Sequence, residues 1–248
     1  MTAAHCGSVS APGLGLPASC AIGEAKGTLP KQMFARGVSS RLKQRFANDI
    51  GSIAMLALLR PGTIGVEAGK KVREILVIGL RQQCAEAPKE VMEHIAGLRA
   101  ASNILFVCVR DDDMDDQADA ESDRKADATG EQCLFALRRV EPAKAGHQGQ
   151  AQATILTSEW QPAGHAKLSL NGTDLDEVWR SLCAQVILGD EDGSDLEQKI
   201  ALHRRAIELQ EEIAKLEGDH HRAKNAQKRN EIFAKLRADR AELEKLRA

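Results

Sequence analysis

The pattern of apolar and polar positions divides the chain into a dense centre and a differently patterned C-terminal end. From Arg73 to Gln83 the run EILVIGLRQ is almost wholly apolar, and from Asn103 to Arg110 the run ILFVCV is wholly so. Unbroken apolar runs of this length predict strands buried on both faces of a sheet. Between them PKEVMEHIAGLRA, Pro88 to Ala100, carries its apolar residues at helical spacing. Strand, helix, strand predicts a βαβ-like unit from Val72 to Arg110.

Around this centre the same criteria predict a flanking set of elements. A helix begins near Ser39 or Ser40, either of which can cap it, and carries Leu42, Phe46, Ile50 and Ile53 at helical spacing. The run from Ile53 to Arg60 fits either an extension of that helix or a strand, and Pro61-Gly62 ends it in both cases. Thr63 to Glu67 reads as a short strand. Glu131 to Glu141 and Ala153 to Trp160 read as strands, with Leu168 to Leu170 pairing briefly. Asn171-Gly172 is a turn, after which Thr173 caps a helix with Asp176 answering it. Leu175, Val178, Trp179, Leu182 and Val186 form the buried stripe of that helix, and Gly189 stops it.

After Asp190 to Gly193 the period changes. Ser194 with Glu197 makes a capping box. Leu202, Ala206, Leu209, Ile213 and Leu216 alternate by four and three, a heptad seam. Gly218-Asp219 interrupts it. A second helix carries Ile232, Leu236, Leu243 and Leu246 in similar phase, with Asp239 within the seam. Two helices with one seam each form an antiparallel hairpin or pair with a second copy. The expected fold class is therefore α+β: a mixed sheet with flanking helices (an N-terminal helix and the βαβ-like centre) plus a C-terminal helical hairpin or coiled-coil arm. The expected divisions are a disordered N-terminus over 1–15, an α/β core over 16–189 and the arm over 190–248.

Composition narrows the function classes. The chain has 248 residues, 43% of them hydrophobic, only 3% aromatic and none of them Tyr. The core is therefore aliphatic, and aromatic stacking platforms for single-stranded nucleic acid are not expected. A net charge of −2 advertises no polyanionic partner globally. Charge is segregated locally: from Asp111 to Asp127 there are nine acidic and two basic residues. Such a run repels itself and predicts a surface loop over 111–130. It lacks the Gly and Glu positions of an EF-hand, so no calcium site is expected. The six Cys, at 6, 20, 84, 108, 133 and 183, form no CxxC pair and read as reduced thiols rather than a disulfide frame or zinc knuckle. No signal peptide and no run of roughly 18 to 20 apolar residues is visible, so the expectation is a cytoplasmic protein without a membrane segment.

Candidate chemistry is sparse. There is no phosphate-binding loop, no GxGxxG after a strand, no HExxH and no GxSxG. No catalytic residues, metal ligands or cofactor are expected. The expected binding features lie in the arm. Arg222, Lys224, Lys228 and Arg229 fall close together with no acid between them, beside His220 and His221, and suit phosphates without sequence readout. The seam residues Leu202, Leu209, Ile213, Leu216, Ile232, Leu236 and Leu243 suit a protein partner or self-association. The basic residues Arg41, Lys43 and Arg45 add a second positive surface, so weak non-specific contact with duplex DNA is a further expectation. Glu159 reads as a surface residue and Trp160 as core or a lid against the helix of Trp179. The order helix, strand, strand, strand, helix, strand is also that of restriction-type nucleases. Those need an acid-x-Lys pair on the third strand to hold Mg²⁺ and support the attacking water. Here Gly79-Leu80-Arg81 stands in that place, with Glu67 and Glu74 the nearest carboxylates.

Several stretches together resemble a family of uncharacterised bacterial proteins catalogued as domain of unknown function 4391. They are LPKQMFA (Leu29 to Ala35), SSRLKQRFANDIGSI (Ser39 to Ile53), EILVIGL, NILFVCV, TSEW, LNGTDLDEVW and the Lys/Glu-rich C-terminal helices. The resemblance runs from about Leu16 onward. It implies no established activity and no catalytic residues. It implies an accessory role in restriction-like or mobile-element cassettes, because members are encoded beside a helicase and a DNA methyltransferase. The chain departs from the family by its acidic loop and by the missing polar residues on the Glu74 strand.

Overall fold

The computed structural model describes residues 2–112, 130–140, 153–223 and 225–247. They divide into two compact units, Met1–Ser194 and Asp195–Ala248. The first is built on a mixed seven-stranded sheet, and the chain is of the α+β class.

Its principal strands are β3 (Thr28–Leu29), β4 (Ile50–Leu59), β5 (Ile75–Gln82), β6 (Asn103–Asp111), β7 (Glu131–Val140) and β8 (Ala153–Thr157), hydrogen-bonded in that order. A short strand β9 (Gln161–Pro162) pairs with β7. The β5–β6 pair is parallel, in register from Ile75↔Asn103 to Arg81↔Val109, and the other pairs are antiparallel. The crossover between the parallel strands is helix α5 (Lys89–Leu98), which buries Val91, Met92, Ile95 and Ala96. The predicted strand-helix-strand centre is present, and both its strands are buried along nearly their whole length. Full burial on two faces is why neither strand shows polar alternation.

Helix α3 (Ser40–Asn48) starts at Ser39, whose hydroxyl accepts the Leu42 N–H at 3.3 Å. The helical stripe predicted through Ile53 splits. Phe46 belongs to α3, whereas Ile50 and Ile53 belong to β4. All three meet in one core with Leu76, Ile78, Leu80 and Phe106. Ile50 and Ile53 reach the same face because the β4–β5 register slips between Ile50 and Ser52. One extra residue at a bulge restores phase to positions three apart. A spacing that mimics a helix is thus produced by a bulged strand.

Three further expectations are corrected. Where disorder was expected over 1–15, the described residues 2–15 are ordered: β1 (His5–Cys6) and β2 (Val9–Ser10) pair as a hairpin, preceding the short helices α1 (Glu24–Gly27) and α2 (Lys31–Phe34). Ala4, Cys6, Val9, Ala11 and Leu14 are buried. The Gly, Ala and Ser content of this segment is what a tight hairpin lying close on a sheet requires, with Gly7 at φ +58° in its turn. Residues Thr63 to Glu67 are not a strand. They overlap a single helical turn, α4 (Pro61–Ile64), in which Thr63 Oγ1 accepts the Arg60 N–H and Gly65 closes the turn at φ +72°. Leu168 to Leu170 forms no strand: Leu168 donates its N–H to Leu14 O, and Ser169 is held by Gln185.

Helix α6 (Leu175–Leu188) ends at Gly189 as expected, in the left-handed conformation. Its cap is Asp174 rather than Thr173. Asp174 Oδ1 accepts the Glu177 N–H, and Thr173 donates to Glu177. Asp176 is thereby left to bind elsewhere, and its carboxylate accepts the backbone N–H groups of Lys70, Lys71 and Val72 at 2.7 to 3.2 Å. This ties the start of α6 to the approach of β5.

The second unit is a pair of long helices, α7 (Leu196–Arg222) and α8 (Ala226–Arg247). Gly218-Asp219 does not interrupt α7, because one Gly inside a helix costs only about 1 kcal/mol. The expected capping box at Ser194 is replaced by Asp195 at φ +47° with no side-chain cap bond.

Candidate functional site

The carboxylates that a nuclease reading would need do not converge. Glu74 lies just before β5, where its carboxylate takes two hydrogen bonds from Arg60 (2.6 and 3.1 Å) and one from Ser102. The Arg60 hydrogen bond holds its pKa below the ordinary value. Arg81 is at the opposite end of β5, bound to Asp111 at 2.5 Å and Glu131 at 2.7 Å. Glu67 is engaged through its backbone with Thr173 and Leu175. Gly79 has a packing role: a Cβ there would lie 2.5 Å from Cys6 Cβ and 3.2 Å from Cys6 Sγ. The face of β5 that would carry the acid-x-Lys pair is therefore covered by the N-terminal hairpin. The same hairpin is pinned through Ser8, whose N–H and Oγ both donate to Glu131 Oε2 at 2.7 and 2.6 Å.

The best-formed concavity is elsewhere. A cleft of about 630 Å³ opens at the C-terminal ends of the two parallel strands, between the end of α3, the loop after β5, the start of α5 and the segment after β8. Open α/β sheets place ligand crevices at the carboxyl ends of parallel strands. Arg110, the last helix-side residue of β6, lines the cleft although only 2% exposed. Its guanidinium stacks over Trp160 at 4.1 Å from the ring centroid and donates to Ala85 O. Asp49, 8% exposed, forms the opposite wall and pairs with Arg45 at 3.0 Å. Cys84 also lines the cleft; burial first, and then the charge of Asp49, raises its thiol pKa, so it is a poor nucleophile at neutral pH.

Gln82 stands beside Arg110. It is the last residue of β5, on the same face as Ile78 and Leu80, and is 1% exposed. Neither Oε1 nor Nε2 has an oxygen or nitrogen partner among the described residues. Its side chain is hydrogen-bonded with the Cys108 thiol, a weak partner. Burying polar groups in this condition costs about 1–3 kcal/mol each. Sequence reasoning missed Asp49, Arg110 and Trp160 as cleft-lining residues, and Gln82 as a buried amide at the end of β5. The legible signal was that Gln82 and Arg110 are polar residues at matched ends of two otherwise apolar runs.

Three further thiols are held in the core. Cys6, Cys108 and Cys133 are free and buried, and burial is the main cause that raises each pKa, that of Cys133 to about 12. Among the described residues no three His, Cys, Asp or Glu side chains are grouped to hold a metal ion. Nor is any described helix long and apolar enough to cross a membrane.

In the arm, the seam closes within the chain. Leu209, Ile213, Ile232, Leu236 and Leu243 are buried against one another, with Leu216 and Leu246 packed alongside. Leu202, in phase with them, remains 42% exposed. Arg205–Glu242 at 2.8 Å and Glu217–Arg240 at 2.6 Å link the two helices. Of the predicted basic residues, Arg222 is paired with Asp219 at 3.0 Å and also donates to Gly218 O. Lys228 and Arg229 are exposed in the first turn of α8, which contains no acid. Lys224 lies outside the described residues, as do 113–129 of the acidic loop. His220 is 6.2 Å from Phe233, which is 57% exposed. On the first unit, Arg41 and Arg45 are not free cations: both pair with Glu90, and Arg45 also with Asp49.

No curated protein and no solved structure matches the chain. A family described as a domain of unknown function (DUF4391) matches residues 14–243, from just after the β1–β2 hairpin into the last turns of α8. That stretch includes both the sheet with its cleft and the helical arm, and the chain belongs to this family.

Proposed function

We propose that this is a non-enzymatic accessory protein of a bacterial restriction- or mobile-element-type cassette, acting in the cytoplasm and docking a protein partner through its C-terminal helices. The observation that carries the reading is that the arm has its own apolar core, separate from the sheet. A two-helix unit that buries its seam internally holds its outer faces rigid for a partner. Those faces present Leu202, Ile207 and Phe233, which are 42%, 42% and 57% exposed. The test is association between the full chain and the products of neighbouring reading frames, compared with a chain ending at Gly189. Binding that survives the truncation unchanged overturns the role of the arm.

A second reading, a DNA-associated protein with a degenerate nuclease-like core, is favoured by Lys228 and Arg229. Cations in the first turn of a helix oppose its dipole, at a cost of about 0.3–1 kcal/mol each at low salt. A phosphate backbone would reverse the sign of that term. The expected result is a duplex DNA shift that weakens with salt and with charge reversal at Lys228 and Arg229. Absence of any shift at low salt removes this reading.

A further inference from the structure

We propose that an apolar pocket between α2 and α5 binds a medium-chain aliphatic carboxylate, its chain in the pocket and its carboxylate at Arg99. This goes beyond the docking role of the arm and stands on different residues. The starting observation is where the first unit leaves apolar surface exposed. Among its described residues the large hydrophobics left exposed are Met33 and Leu98, at 50% and 56%. Both line one pocket of about 240 Å³ on the helix side of the sheet. The buried part of its lining includes Leu76 and Ile78 of β5, Ile95 of α5 and Phe34 of α2. His94 donates from Nε2 to Phe34 O at 2.8 Å, which ties α2 to α5 and holds the pocket preformed. Exposed apolar side chains gathered around a concavity, rather than scattered singly, mark a binding surface.

Size and charge select the occupant. At about 30 Å³ for each water-sized group, the pocket holds about eight such groups, the length of an acyl chain of about eight carbons. Arg99 is the one charged residue of the lining, and the rest of it is apolar. A sugar or a peptide backbone would therefore lose its hydrogen bonds to water on entry. Arg99 is the C-cap of α5 and is exposed. Glu74, which feels its charge, is itself bound by Arg60 and Ser102, so the Arg99 guanidinium is available to an incoming carboxylate. Met33 and Met55 bring unbranched thioethers that adapt to a flexible chain.

The full chain is titrated calorimetrically with butanoate, hexanoate, octanoate and decanoate in the low millimolar range. Octan-1-ol and octylammonium serve as the uncharged and cationic counterparts of octanoate. Affinity should rise about fourfold per added CH₂ up to octanoate, and much less beyond it, where the pocket is full. Octan-1-ol should bind about two- to fivefold more weakly than octanoate. Arg99→Gln should bring octanoate down to the octan-1-ol value and leave octan-1-ol unchanged. Met33→Gln and Leu98→Gln replace exposed side chains at similar size, so the urea midpoint should hold while octanoate binding falls about threefold or more. No saturable binding of any acid overturns the proposal, the result expected if the pocket takes an apolar side chain of a partner protein instead. So does an affinity independent of chain length, or octanoate binding that both rim variants leave unchanged. Octylammonium binding as tightly as octanoate overturns the assignment of the head group to Arg99. Charge reversal at Lys228 and Arg229 should not alter this titration, and association through the arm should not respond to octanoate, so failure here and failure of the docking reading are separable.

Discussion

The seating of the N-terminal hairpin on β5 can be tested at one residue. Replacing Gly79 by Ala adds a Cβ 2.5 Å from Cys6 Cβ and 3.2 Å from both Cys6 Sγ and Leu56 Cδ1. Carbon atoms in contact sit about 3.5–4.0 Å apart, so something must move by about 1 Å. The sheet side is fixed by parallel and antiparallel partners at Gly79↔Val107 and Ala54↔Gly79. The hairpin is the softer neighbour and must lift, which strains the Ser8–Glu131–Arg81 connection. Overpacking of this kind costs about 1–3 kcal/mol. Both tryptophans lie in the first unit, so urea unfolding followed by their fluorescence reads this unit without interference from the arm. Cys6→Gly removes the two Cys6 atoms that clash, so the double variant should recover about 1 kcal/mol or more relative to additivity. A Gly79→Ala chain within about 0.5 kcal/mol of the parent would refute the close approach. Full additivity with Cys6→Gly would refute the assignment of the clash to the hairpin.

Two further outcomes follow from single residues. Desolvation alone would raise the Asp176 pKa, but the N–H groups of Val72, Lys71 and Lys70 outweigh it and hold the carboxyl below its ordinary 3.8. Its stabilising contribution is therefore complete above about pH 4 and is lost as the pH falls through the depressed native value. Asp176→Asn should lower the urea midpoint at pH 7 by the equivalent of about 1–2 kcal/mol and flatten the acid limb of the stability profile; an unchanged acid limb counts against the assignment. In the arm, Leu209 is fully buried, and Leu209→Ala should cost about 2–5 kcal/mol. A unit of about 50 residues has little more stability than that to lose. Circular dichroism should show loss of helix while tryptophan fluorescence stays native, and simultaneous loss of both signals would mean the units do not fold independently.

How much of the fold was legible depended on which interaction decided each element. The βαβ-like centre was readable because Ile75 to Leu80 and Ile104 to Val109 are apolar on both faces, and no other element tolerates that pattern at strand length. Helix α6 and the arm seam were readable because one face alone decides them. The N-terminal hairpin was not, because its stability comes from a long-range partner. Ser8 reaches Glu131 across 123 positions of sequence, and small residues matter there for how closely they let the chain approach. The Ile50–Ile53 spacing misled for a related reason, since a bulge set by pairing with β5 produces the same separation as a helical turn. Asp176 was read as part of a local cap, whereas its partners are more than a hundred positions away. The cleft was hidden most completely. Asp49, Arg110 and Trp160 come from three separate stretches and share no spacing.

The same geometry explains why the two ends of β5 carry different kinds of residue. At its start Glu74 is paired with Arg60 and Ser102, and on the hairpin side of its far end Arg81 is paired with Asp111 and Glu131. Those charges are matched by charges, the condition under which partly buried ions are retained in a fold. On the helix side of the far end, Gln82 has no charged match among the described residues and is 1% exposed. Evolution towards stability alone would replace that amide by Leu or Met, which fit a β5 face that already carries Leu76, Ile78 and Leu80. A strand otherwise built for burial therefore keeps one polar side chain, weakly bonded to Cys108, at its carboxyl end. Local rules of this kind are broken at functional sites more readily than elsewhere. A nuclease-like site at Gly79 and Arg81 would fall on the same strand but on its hairpin-covered face; the helix-side face is the one that ends in Gln82.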